Sequence, residues 1–167
     1  ATPYLVMTSG FRYSKDVDPN AGVVTVVATP SYFGLASNDD ALVLKLSANG
    51  DYVDHAVFAG NMDETIYDLV LTPGSNFIVT GSFKGTSDFD PGAAINLKTS
   101  RESEDVFSVR LTLILDHVWS HSVGSNGILS VQCLSKQVTT RIVAGGSALG
   151  SSQISYNYNI ANKNAML

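Results

Sequence analysis

In Asp40-Ala-Leu-Val-Leu-Lys-Leu46 every second residue from Leu42 is a leucine, so Leu42, Leu44 and Leu46 share one face of an extended chain. Near the C-terminus, Gln153 to Ile160 alternates in the same way. Ile154, Tyr156, Tyr158 and Ile160 lie on one face, and Ser155, Asn157 and Asn159 on the other. No window of about 12 residues keeps helical apolar spacing free of turn residues, so little helix is expected. The pattern predicts strands over Pro3 to Thr8, Asp40 to Leu46, Tyr52 to Phe58, Ile66 to Leu71 and Phe77 to Phe83. Val23 to Ala28 is a β-branched run that stops at Pro30, which marks it as an edge strand because proline cannot donate to a ladder. Ser31 to Asn38 reads as a loop. Asn49-Gly50 supplies the positive φ of a tight hairpin, and Pro73-Gly74-Ser75-Asn76 supplies a second turn. The four strands from Asp40 to Phe83 therefore read as one antiparallel meander.

The chain also repeats itself. Asn76 to Gly92 runs from the apolar Phe77-Ile78-Val79 through Gly81 to the stiff turn Asp90-Pro91-Gly92, and the N-terminal segment follows the same course. Phe11 matches Phe83, Asp16 matches Asp88, Asp18 matches Asp90 and Pro19 matches Pro91, all at an offset of 72 (90 − 18). Asp105-Val-Phe-Ser-Val-Arg-Leu111 matches Asp40 to Leu46 at an offset of 65 (105 − 40), and His117 to Val123 matches Tyr52 to Phe58. Ile128 to Leu134 matches Asp63 to Leu69 more loosely, and Arg141 to Gly145 matches Phe77 to Gly81. The expected division of this all-β chain is a closing strand and loop of a preceding unit over 1–38, one four-strand unit over 39–92, a second over 93–150 and a tail strand over 151–167. Four-stranded units at this period are the sequence signature of radial repetition.

The runs Asp105-Val-Phe-Ser-Val-Arg-Leu111, His117-Val-Trp119 and Phe77 to Gly92 resemble the blades of a bacterial β-propeller repeat family, which read roughly "DxFVAKLDxxGNxVW … GNxYVTGxFxGTxDFDPG". The resemblance spans about residues 5 to 147 and is sharpest in Asn76 to Gly92. It implies antiparallel blades of propeller type and a secreted or cell-surface location. Two departures matter. Where the first unit has the polar turn Ser47-Ala48-Asn49-Gly50, the second has Thr112-Leu113-Ile114-Leu115, and apolar residues at an exposed turn point to a covered surface. Two blades also cannot close a ring of ~4 to 8. The chain is then a piece of a longer protein, or several copies assemble, or the strands collapse into a sandwich.

At 167 residues the chain can bury one real core. Charged residues make up 15%, below the usual ~25%, which with 14 glycines suits short strands and tight turns. A net charge of −5 with scattered Lys and Arg argues against nucleic acid as a partner. No apolar run approaches 18 residues, so no membrane span is expected. The single Cys133 permits no internal disulfide and reads as a small buried hydrophobe. The chain begins at Ala1 without methionine, which fits a cleaved signal peptide or a trimmed chain alike, and it carries no Asn-x-Ser/Thr sequon.

Asp16 with Asp18, and Asp88 with Asp90, are the candidate metal ligands, with calcium the candidate ion. Two carboxylates fall short of the six to eight oxygens calcium takes, and the competing reading is that each aspartate caps its own turn. His117 and His121, four apart on a strand, lie about 13 Å apart, too far to share a metal, and with His55 they read as structural. Ser120, His121 and Asp116 lack a nucleophile elbow, so no catalytic role is assigned. Asp63, Glu64 and Asp68, and Glu102, Glu104 and Asp105, read as solvated loop faces. Leu113, Ile114 and Leu115, with Tyr156 and Tyr158 of the tail, are the candidate interface for a second copy or another surface protein. The expectation is a non-catalytic extracellular or cell-surface structural and binding module, without cofactor, working in an assembly. The alternative is a carbohydrate-binding, lectin-like module or an accessory part of a secreted carbohydrate-active enzyme, with glycans as ligand.

Overall fold

β-Branched and aromatic residues at alternate positions, punctuated by Gly, Pro and Asn, drive the chain into strands, as expected. The computed structural model describes residues 3–30, 38–72, 74–101, 103–124, 128–137, 141–149 and 155–157, the last three stretches as strand backbone. Long strands are β1 (Tyr4–Phe11), β4 (Asp40–Ser47), β5 (Tyr52–Gly60), β6 (Glu64–Thr72), β7 (Asn76–Phe83), β10 (Asp105–Thr112), β11 (His117–Gly124), β12 (Ile128–Gln137) and β13 (Arg141–Leu149). Short ones are β2 (Ser14–Asp16), β3 (Thr25–Val27), β8 (Thr86–Asp88), β9 (Leu97–Thr99) and β14 (Ser155–Asn157). All described elements are strands, and every pairing is antiparallel. The Ser31 to Asn38 loop lies outside the described residues except for Asn38.

The strands pair in a different frame from the one expected. β5 and β6 do not join, so Asp40 to Phe83 is not one meander. Sheet I has the order β1-β4-β5-β8-β9, and sheet II has β14-β11-β10-β7-β6. β12 with β13, and β2 with β3, form two-stranded ribbons. The four-strand meander of this chain is β6-β7-β10-β11, which takes two strands from each expected unit. The link Asn61-Met62-Asp63 between β5 and β6 is thus a step from one layer to the next instead of a hairpin. Along the chain, a short hairpin is inserted between two long strands that pair with each other: β2–β3 between β1 and β4, and β8–β9, which pairs with the end of β5, between β7 and β10.

Each sheet has a front, on which the hairpin inserted between two of its long strands lies, and a back. On the front of sheet I, Phe11, Val17, Val26, Ala28 and Leu42 are buried together, with Val24, Leu44, Tyr52 and Val57 against them. The larger cluster lies between the back of sheet I and the front of sheet II. Ala41, Val43, Ala56 and Phe58 meet Phe77, Val79, Phe83, Phe89, Phe107, Val109 and Leu111. Four rings form its centre, with centroids 4.6 Å apart for Phe89 and Phe107 and 5.1 Å for Phe83 and Phe89. Edge-on and tilted aromatic contacts of this kind add to the area they bury. β12 lies against β6, β7 and β10, much as β6 lies against β1, β4 and β5, so the layer-on-layer step is taken twice.

The apolar turn of the second unit is covered by the chain itself. Leu115 is buried in the large cluster, Leu113 packs against it, and Lys45 of β4 donates to the Leu113 carbonyl. Leu113 and Leu115 thus seat the β10–β11 turn on the back of sheet I, and their apolar character needs no second copy. Ile114 alone of the three is exposed, at 65%. Leu115 takes φ 59°, at the repeat position of Gly50 (φ 89°), so burial holds a leucine in a conformation that glycine adopts freely. Of the expected Asn49-Gly50 pair, only Gly50 has positive φ. Truncating the ring at the centre tests this packing. Phe89→Ala should destabilise the chain by about 3–5 kcal/mol in a urea titration, because the cavity lies between two sheets that cannot collapse independently.

Candidate functional site

The two Asp-Pro loops are built to one plan. The Oδ1 of Asp16 accepts from the backbone N–H of Asp18 (3.1 Å) and of Val24 (2.9 Å), and Asp18 Oδ1 accepts from Asn20 N–H (2.9 Å). Seventy-two residues on (88 − 16), Asp88 Oδ1 accepts from Asp90 N–H (3.0 Å) and Asn96 N–H (2.8 Å), and Asp90 Oδ1 from Gly92 N–H (2.9 Å). These are Asx turns, which satisfy loop donors that no ladder reaches. In both loops the residue between the aspartates is apolar and buried: Val17 in one, Phe89 in the other. The carboxylates therefore fix the loop that inserts this side chain. Among the described residues no group of three or more His, Cys, Asp and Glu is gathered to hold a metal ion.

Beside the second loop, the repeat changes character. Val24, Val26 and Tyr52 pack apolar on the front of sheet I, whereas their counterparts are Asn96, Lys98 and His117 (96 − 24 = 72; 98 − 26 = 72; 117 − 52 = 65). Asn96 links the three, accepting from Lys98 Nζ through its side-chain oxygen while its Nδ2 lies 3.3 Å from His117 Nε2. His117 Nδ1 lies 3.6 Å from Asp90 Oδ2. Lys98 is buried, and desolvation lowers its pKa against the opposing pull of Asp88. Desolvation likewise lowers His117, so its neutral form is favoured despite Asp90. His121 is lowered by burial and then by Lys98, and its ring lies 4.8 Å from that of Trp119.

The register separates residues that the sequence places side by side. A bulge between Arg110 and Leu111 pairs Leu111 with His117 but Arg110 with Trp119. His117 accordingly meets the β8–β9 hairpin, while Trp119 and His121 share the face of Arg110 and Ser108. Ser120, paired with Val109, is buried on the front, opposite His121, and Asp116 sits in the β10–β11 turn. The structure does not bring these three into a relay. His55 Nδ1 lies 2.7 Å from the Tyr52 hydroxyl. Tyr156 is in β14, opposite Val123, and Tyr158 lies outside the described residues.

Three acids that read as solvent-facing or unremarkable are fully buried. Asp40 Oδ2 caps the return from the β2–β3 hairpin by accepting from Thr29 N–H (2.7 Å), as Asp105 Oδ2 does from Arg101 N–H (3.0 Å). Glu64, at the start of β6, accepts from the Ser87 hydroxyl of β8 and also from the Gly60 backbone. Burial, reinforced by the nearby Asp40 and Asp63, pushes Glu64 up to about 9, so it is a neutral acid at pH 7. Burial also raises Asp40 to about 6, against the hydrogen bonds from Thr29. The solvated-face reading fails at Glu64 and Asp105. The signal lay in the repeat, since the counterpart of Glu64 is Leu129 (129 − 64 = 65) and Asp40, at the head of β4, matches Asp105.

No family model matches this chain, and no curated protein and no solved structure matches it either.

Two outcomes follow from these groups. Asp88→Ala should cost roughly 1–3 kcal/mol by leaving two loop N–H groups unmet, and Asp88→Asn, which keeps an acceptor oxygen, should cost less. Glu64 holds a proton in the folded state that the unfolded chain releases above its ordinary pKa of 4.5. Its burden on stability is absent below that pH, grows as pH rises and levels off near 9. Glu64→Gln should remove that slope, so denaturation midpoints of variant and parent should converge at acid pH, with the variant ahead at pH 8.

Proposed function

We propose that the chain is a non-catalytic structural and binding module of an extracellular or cell-surface protein, built from layers of β-propeller-blade type and working in an assembly. The observation that carries this reading is the layered repeat: front packs on back between sheets I and II, and β12 continues the step on sheet II. The most specific side chains of the repeat serve that stacking. The Asp-x-Asp pairs hold Val17 and Phe89 in place, and Asp40 and Asp105 cap the chain's return to the long strands. In this reading the four loop carboxylates are caps, and the loops need no cation to form. The blade resemblance of Asn76 to Gly92 supports the surface location. Light scattering behind a sizing column tests the reading. A defined oligomer of unchanged mass in a calcium chelator is the expected result; a monomer at every concentration would remove the assembly, and an oligomer lost in chelator would put a cation in the Asp loops.

A further inference from the structure

Where the first layer packs Val24, Val26 and Tyr52, the second layer brings together Asn96, Lys98 and His117, three groups whose chemistries complement one another. Asn96 and Lys98 are two apart on the extended run that forms β9, so they project from one face. Lys98 is 8% exposed and, among the described residues, makes no ion pair. Holding an ammonium there costs desolvation energy that one carboxamide oxygen does not offset. Burial accordingly favours the free amine, against the pull of Asp88. Lys98 Nζ donates to Asn96 Oδ1, so the amine rests one bond away from the carbonyl carbon Cγ. With its oxygen turned to Lys98, the carboxamide leaves its nitrogen to His117, Nδ2 lying 3.3 Å from Nε2. Asp90 Oδ2 lies 3.6 Å from the other ring nitrogen, Nδ1, and favours the tautomer whose Nε2 is free to accept. Burial keeps His117 neutral, as an acceptor must be. A nucleophile, an acyl carbon, a leaving nitrogen and a proton carrier thus stand side by side.

We propose that Lys98 and Asn96 join through their side chains in an intramolecular isopeptide bond, with His117 carrying the proton. Lys98 Nζ attacks Asn96 Cγ; the Nζ–Cγ bond forms, the Cγ–Nδ2 bond breaks, and its electron pair leaves on the nitrogen. The proton that Nζ sheds passes through His117 Nε2 to Nδ2, which departs as ammonia. Nothing is oxidised or reduced, and no co-reactant enters. The acyl residue is held for the attack by its own backbone, since Asn96 N–H donates to Asp88 Oδ1 at 2.8 Å. The product exchanges a poorly solvated amine for a neutral amide, and ammonia lost to bulk water makes the step one-way. Each chain reacts once with itself, so the module still turns over no substrate. The bridge closes a small ring around Leu97 and so constrains the hairpin whose loop carries Phe89 into the core. The first layer, with Val24 and Val26 at these positions, has neither reacting group.

The first measurement needs no variant: the intact mass of the whole folded chain by mass spectrometry. The parent should weigh less than its sequence by one ammonia, and trypsin should fail to cut after Lys98. The deficit should lie in the peptide that holds Asn96 and Lys98. Lys98→Arg keeps a donor for Asn96 but no nucleophile, and it should regain the full mass with unchanged circular dichroism. His117→Gln should leave a large unbridged fraction in newly made chain. A parent at its full sequence mass, a deficit located at Asn49-Gly50 as a succinimide, or a deficit that persists in Lys98→Arg would overturn the bridge. Bridging of His117→Gln at the parent's rate would overturn the proton path.

Discussion

Everything in this structure depends on burying four phenylalanine rings between two sheets. Phe58 comes from the back of sheet I, Phe83 and Phe107 from the front of sheet II, and Phe89 from the loop of the β8–β9 hairpin, which is tied to the end of β5. A ring carried on a loop packs only if the loop is held as firmly as a strand. That is the work of Asp88 and Asp90, which flank Phe89 and accept the N–H groups its loop leaves unpaired. The Asp-Phe-Asp-Pro run is in this sense a packing device. Its earlier version, Asp16-Val-Asp-Pro, does the same with a smaller side chain on a layer whose front is less covered.

Most of the strands were legible because one face of each is apolar and turn residues bound them. Leu42, Leu44 and Leu46 do share a face, and β4, β5, β6 and β7 lie within a few residues of the expected bounds. β1 runs past Gly10 to Phe11, since pairing with β4 is maintained across the glycine. What could not be read was which hairpins share a sheet. Alternation fixes the two faces of a strand but not its lateral neighbours, and the three-residue link at Asn61 has the length of a turn whether it reverses within a sheet or crosses between sheets. Glu64 was misread for a related reason: composition assigns acids to water, and only the hydrophobic residue at its repeat position pointed inward. The Asp loops were legible as turns, because an aspartate two residues before a loop N–H carries its own geometry, but the second bonds of Asp16 and Asp88, to Val24 and Asn96 across the hairpin, were not.

The second layer bears polar groups where the first has valine and tyrosine, and this asymmetry has an energetic meaning. Lys98, Asn96 and His117 satisfy one another in a half-dry setting where each alone would be costly. Such a network is worth little as stabilisation but fixes the register of the β8–β9 hairpin against β11, because no shifted pairing would satisfy the same donors. Sheet I reaches the same hairpin position with apolar contacts, which are less particular about register.

The two residue pairs that join the end of β5 to β8 connect a strand of one layer to a hairpin inserted in the next. They act as a stitch. With it, sheet I cannot peel from sheet II without breaking backbone hydrogen bonds as well as losing apolar contact, and Glu64 and Ser87 are knotted at the same corner. Under tension the two layers would be loaded in shear across that stitch instead of unzipping one strand at a time. The two layers should therefore separate together, in one step.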